Sequence, residues 1–173
     1  VRPILNIMSE PRPEHSQPAP TERTSLPEGY RYAATGEVAP EVISDLLRTA
    51  FSEHDIPDDY IVERNTLAAD AGQRHVDVII TSDTGELAGF GTLFFRGEHG
   101  GLSDLAVAPA HQHRGIARAA IAEGVRLSEE LDVTSLSIPK PESDNLIPYY
   151  LELGFTQLDN GELVKGPDPR AIV

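Results

Sequence analysis

The eleven residues from Val107 to Ala117 gather small side chains, one glycine and several basic groups into one short segment. Apolar Leu105, Ala106 and Val107 lead into it, and a helical pattern runs out of it to Leu131. A strand, a glycine-bearing turn and a helix start, in that order, leave backbone N–H groups without partners in the helix. Such groups suit an anion. A pyrophosphate in particular needs convergent N–H donors, a helix dipole and little side-chain bulk. Gly115 lets a backbone come close, and Ala117 is small. His111, His113, Arg114 and Arg118 form a basic island in an acidic chain. The same residues also fit an ordinary glycine-bearing turn between strand and helix, so their neighbours must decide. His111 and His113 stand two apart with no third ligand nearby and no cysteine in the chain. A metal site is therefore not expected.

The elements around this segment follow from residue periodicity. A short strand is predicted at 30–33. Pro40 opens a helix whose apolar side is Ile43, Leu46, Leu47, Ala50 and Phe51. A weaker helix is predicted from Asp58 to about Ala71. Val76, Val78 and Ile80 alternate as in a strand, a turn covers 83–86, and a further strand runs from Leu87 to Phe95. Gly89 and Gly91 either weaken that strand or let another backbone approach. Residues 96–101 read as a hairpin connection, and Leu102 to Val107 as the strand entering the glycine turn. The helix after the turn packs Ile116, Ala117, Ala120, Ile121, Gly124, Leu127 and Leu131 to one side. Its Arg118, Glu123, Arg126, Glu129 and Glu130 are expected to face water. A strand at 133–138 stops at Pro139 and Pro141. A short helix follows at about 146–153, and a hairpin turns at Asn160-Gly161. Antiparallel hairpins followed by a βαβ-like crossover predict an α/β fold: a mixed, mostly antiparallel twisted sheet with helices on both faces.

The chain has 173 residues, enough for one domain with a sizeable core. Residues 1–28 hold six of its fourteen prolines and few apolar groups. They are expected to form a disordered or loosely attached tail, with the domain at 29–166 and a short tail at 167–173. Met8 is a candidate native start. A net charge of −14 argues against a nucleic-acid partner. No apolar run approaches the length of a membrane span, so no membrane partner is expected and a cytoplasmic location is the default.

With that context the run Gln112-x-x-Gly115-x-Ala117 resembles the pyrophosphate-binding signature of the GNAT acetyltransferase superfamily. The segment from Pro148 to Phe155, with Tyr150-x-x-x-Gly154-Phe155, resembles the family's second motif. The order of elements over about 29–166 is similar too, although only the later half carries motifs. The resemblance implies a GNAT-like acyl-CoA N-acyltransferase fold and acetyl-CoA as co-substrate. It also implies a small-molecule or peptide amine as acceptor. Backbone groups of Leu105, Ala106 and Val107 would pair with the pantetheine arm as if it were another strand, which requires the neighbouring strand to splay away. Pro139 is consistent with that. Gln112, His113, Arg114, Gly115, Ile116, Ala117 and Arg118 would surround the pyrophosphate. Tyr150 would stand beside the CoA sulfur as a catalytic residue, while Tyr149 is expected in the core.

The resemblance also places Asp104 where an acid can face the acceptor amine; an exposed strand carboxylate is the alternative. Two positions depart from the family pattern. Ser143 stands where an Asn is frequent, which leaves nearby Asn145 as the candidate CoA contact. Apolar Ile138 occupies the end of the fifth strand, where some members carry a Glu. Glu98 and His99, in the hairpin, are further candidates for the cleft. These departures keep a second reading open, an acyl-CoA-binding sensor without catalysis. A homodimer is compatible with everything above.

Overall fold

In the computed structural model the described residues are 22–141 and 144–167. Seven strands form one sheet in the order β1-β2-β3-β4-β5-β7-β6. They are β1 (Tyr30–Ala33), β2 (Arg74–Ser82), β3 (Leu87–Arg96), β4 (His99–Val107), β5 (Ser135–Ile138), β6 (Thr156–Gln157) and β7 (Leu163–Lys165). The helices are α1 (Pro40–Ala50), α2 (Tyr60–Asp70), α3 (Ile116–Glu130) and α4 (Ile147–Glu152). Every pairing is antiparallel except β4 with β5. A mixed sheet of this kind needs one crossover, and α3 supplies it. Element order and fold class are those expected from the sequence.

Both faces of the sheet are covered. Ile79, Phe90 and Ala106 pack with Ile43, Leu46, Leu47 and Ile61 of α1 and α2. Val78, Ile80 and Ala88 pack with Ile116, Ala119 and Ala120 of α3. A third cluster joins Leu93, Ile121, Leu136, Tyr150 and Phe155 around α3 and α4. Gly89 is tied to this layering, since a Cβ there would lie 2.5 Å from Ile116 Cγ2. The close neighbour is a helix side chain, rather than another backbone.

Three details differ from the sequence reading. The β3–β4 connection is shorter than 96–101, because Arg96 already pairs with His99 across Gly97 and Glu98. Leu102 therefore lies inside β4. Glu123 and Arg126 do not face water. Glu123 is 3% exposed, with Arg126 Nε donating to its Oε2 at 2.9 Å. Thr24 N donates to the same oxygen at 3.2 Å, so the chain before β1 covers a stretch of α3 that helical periodicity assigns to solvent. Leu26 packs there as well. Finally, of the tyrosine pair it is Tyr150 that is buried, at 4% exposed. Tyr149 is only half-buried, with the Arg118 guanidinium 4.8 Å from its ring centre.

Candidate active site

Gly115 caps α3 in the left-handed region, at φ 82°, which a glycine adopts without strain. His113 precedes it at φ 59°. Together they turn the chain so that Gln112, His113, Arg114 and Gly115 are exposed while Ile116 enters the core at 1% exposed. The first N–H groups of α3 are thus presented beside basic side chains, an arrangement that holds an anion. Gln112 Nε2 donates to the Val107 carbonyl at 3.3 Å and ties the loop back to β4. His111 does not join the exposed basic cluster. It is buried under the loop with its Nδ1 3.0 Å from the Tyr30 hydroxyl, while Arg114 Nη1 donates to that same hydroxyl at 3.3 Å. Ile116 and Ala106 have core side chains, so only their backbones are available to a ligand.

β4 and β5 pair only from His99 with Ser135 to Gly101 with Ser137. Beyond that point β4 continues to Val107, whereas β5 ends at Ile138 before Pro139. Leu102 to Val107 therefore have no strand partner on the β5 side among the described residues. The opening is a cavity of about 350 Å³ whose lining includes Ser103, Leu105, Ile121, Ile138, Pro139 and Tyr150. It is mostly apolar, which suits an extended chain with few polar groups. Burial pushes the Tyr150 phenol up to about 12, so this side chain is a neutral hydrogen donor at physiological pH. The phenol makes no hydrogen bond with another described residue.

The strand entering the loop carries a bulge. Phe90 pairs with Ala106 and Thr92 with Ser103, which sets Asp104 and Leu105 against the single residue Gly91. Asp104 adopts φ 55°, a conformation Asp tolerates better than most residues. The bulge aims its carboxylate at α2, where Arg64 Nη1 donates to Oδ2 at 2.8 Å and the Tyr60 hydroxyl to Oδ1 at 3.3 Å. Burial and then the Asp104 charge push the Tyr60 phenol up, which keeps it a donor. Arg64, itself 9% exposed, also donates to Asp77 Oδ1 at 3.1 Å and Thr92 Oγ1 at 2.9 Å. Its guanidinium lies over the rings of Phe90 and Phe94.

A second cavity, also about 350 Å³, opens between α1 and α2. The two cavities share Phe51 and Asp104 in their linings. They meet at a carboxylate, with the buried Tyr150 phenol in the wall of the first.

The other residues singled out from the sequence fall as follows. Leu105 and Val107 are half-buried on the free part of β4, Ala117 lies on the first turn of α3, and Arg118 is exposed one position on. Asn145 is exposed in the short turn before α4, and Ser143 lies outside the described residues. Glu98 and His99 sit at the closed end of β4, where the Glu98 carbonyl accepts from the N–H groups of Thr134 and Ser135 at 2.9 and 3.0 Å. His99 is five residues from Asp104, roughly 16 Å along a strand, so neither reaches the junction of the cavities. Sequence patterning does not single out Arg64, Tyr60, Thr92 or Asp77. A signal exists in retrospect: Arg64 falls at helical spacing between Ile61 and Ala68, and Asp77 lies in a strand with both faces covered. A charge in either place must be buried and paired.

A glycine-capped helix start, a parallel strand pair that separates after Gly101 and Ser137, and two adjoining cavities thus lie together on one side of the molecule. A model of the acetyltransferase (GNAT) family matches residues 40–155. The chain belongs to this family. It is similar to the solved structure of yncA from Salmonella typhimurium, a putative acetyltransferase with its cofactor acetyl-CoA. The two share 14% identity over 82% of this chain and 95% of that one, with a TM-score of 0.63. PaiA N-acetyltransferase from Thermoplasma acidophilum, in complex with coenzyme A, gives 13% identity, 80% and 99% coverage and a TM-score of 0.60. YhbS from Escherichia coli, with CoA, gives 17% identity, 82% coverage of each chain and a TM-score of 0.59. No curated protein matches the sequence. Among the described residues no group of three His, Asp or Glu is placed to hold a metal, and no helix is long and apolar enough to cross a membrane.

Proposed function

We propose that this protein is an N-acetyltransferase that moves the acetyl group of acetyl-CoA directly to a primary amine. The observation that carries the reading is the early end of the β4–β5 pairing, at Gly101 and Ser137. It leaves an unpaired strand edge between a glycine-capped helix start and Tyr150. In this reading the pyrophosphate lies on the backbone N–H groups around Gly115, with His113, Arg114 and Arg118 beside it. The pantetheine arm runs along Leu105 to Val107, with Asn145 a further contact. The amine enters from the cavity between α1 and α2.

A lysine-like amine has a solution pKa near 10.4, so its neutral form costs roughly 4–5 kcal/mol at pH 7. Asp104 stands where it can hold the ammonium and receive its proton through water. The nitrogen lone pair then forms the new C–N bond at the acetyl carbon. The C–S bond breaks, its electron pair leaves with sulfur, the Tyr150 hydroxyl protonates the thiolate, and the proton that the new amide nitrogen sheds returns through water to the Tyr150 oxygen. The same phenol suits this because burial keeps it protonated.

The test is release of free CoA thiol from acetyl-CoA against a panel of amines, with the acetylated product identified by mass. Thiol release that depends on an amine supports the reading. Tight acetyl-CoA binding with no release under any amine would favour the sensor instead, and Ile138, apolar where a carboxylate could have stood, gives that second reading its footing.

A further inference from the structure

The cavity between α1 and α2 restricts the kind of amine that fits, and this inference rests on the acetyl-transfer reading above. Phe51 and Ile56 supply apolar wall over fully buried Leu47, and Tyr60 and Asp104 supply the polar groups. Asp55 adds a second carboxylate at the exposed rim, next in the chain to His54, the only lining residue with a basic nitrogen. Arg64 is the nearest permanent cation to the junction, yet it has nothing to offer a ligand. A guanidinium carries five N–H donors. Nε donates to Asn65, Nη1 to Thr92 and Asp104, and Nη2 to Asn65 and Asp77, which uses them all. The cluster of Arg64, Asp77 and Asp104 holds two carboxylates against one guanidinium. Asp77 takes a further hydrogen bond from Thr92 and Asp104 one from the Tyr60 hydroxyl, but only Asp104 lines the two cavities. The unbalanced charge therefore belongs to the cavity junction. It attracts one cation and repels anions.

We infer that the acceptor is a small primary amine with an apolar body and no anionic group. Its ammonium docks on Asp104, and its body lies against Phe51 and Ile56. A phosphorylated amino sugar or an amino acid would bring a negative charge beside two carboxylates, with no arginine or lysine in the cavity lining to meet it. A polyhydroxylated amine would leave hydroxyls unpaired on an apolar wall.

The experiment compares 2-phenylethylamine, glucosamine and glucosamine 6-phosphate. It has two readouts: kcat/KM from thiol release, and amine binding to the CoA-loaded protein by calorimetry. The expected order is 2-phenylethylamine first and glucosamine 6-phosphate last, with a gap on the order of tenfold or more. The variant Ile56→Lys places a cation in the apolar wall and should narrow or invert that gap while acetyl-CoA affinity stays as in the wild type. Equal or stronger binding of glucosamine 6-phosphate, or no binding of 2-phenylethylamine at millimolar levels, overturns the inference. An unchanged gap in Ile56→Lys overturns the assignment of the wall. Binding in the expected order without any thiol release would instead refute acetyl transfer and leave the pocket assignment standing.

Discussion

Tyr150 is packed edge-on against Phe155 and also lines the cavity beside the free part of β4. Tyr150→Phe keeps the ring and removes only the hydroxyl. Stability and acetyl-CoA affinity should change little, because no described group bonds to that hydroxyl. If the phenol protonates the leaving sulfur, kcat should fall by roughly 10²–10⁴-fold. Wild-type turnover in this variant, measured where chemistry limits the rate, would assign the proton to water. Asp104 has a different signature. Asp104→Asn should lower kcat/KM for the amine and leave acetyl-CoA binding nearly unchanged in calorimetry. Rates equal to wild type from about pH 6 to about pH 9 would remove both roles argued for it.

Two elements position these groups, the start of α3 and the clamp of α2 on the sheet. At Gly115 the backbone is left-handed, and a side chain there costs about 1–2 kcal/mol. Gly115→Glu adds a carboxylate where the phosphates should lie. Circular dichroism should show a folded protein and calorimetry a large loss of acetyl-CoA affinity; unchanged affinity in a folded variant would remove the anion site. Arg64 is the clamp. Replacing it by Met leaves Asp77 and Asp104 facing each other with no cation between them. Breaking a buried pair in this way costs about 3–5 kcal/mol, so the urea midpoint should drop sharply. The same change at exposed Arg31, paired with Glu37 at 2.8 Å, should cost under about 1 kcal/mol.

At the scale of the whole molecule, buried Tyr150 and half-buried Tyr32 should set the alkaline limit. Burial pushes both Tyr150 and Tyr32 up to about 12 from an ordinary value of 10.0. A group whose pKa is raised by folding gives its full stabilisation below the unfolded value and loses it as pH climbs through the folded one. Thermal stability should therefore hold up to about pH 10 and fall between pH 10 and pH 12. Tyr150→Phe should remove part of the fall. A melting curve as steep in that variant as in the wild type would place the alkaline loss elsewhere. Acid acts through Glu123. Burial opposes its ionisation, but hydrogen bonds from Arg126 and the Thr24 N–H outweigh that and hold its carboxyl below 4.5. That contribution is present above 4.5 and lost as pH falls through the lowered value.

Local patterning carried most of the architecture. Strand alternation at Val76, Val78 and Ile80, helical spacing after Pro40, and the glycine before Ile116 each encode their element in neighbouring residues, so the order of elements and the glycine-capped start of α3 were legible. Strand ends were less so, because the bounds of β4 depend on where β3 pairs with it. Tertiary structure alone decided what the buried charges meet. Glu123 sits on a helix face that periodicity gives to water, and the chain around Thr24, some 99 positions away, covers it. Arg64 meets Asp77 and Asp104 only when α2 lies across the sheet, and the bulge opposite Gly91 is what turns Asp104 toward it. Periodicity reports which side of an element is apolar; it carries no information about what a distant segment brings to the other side.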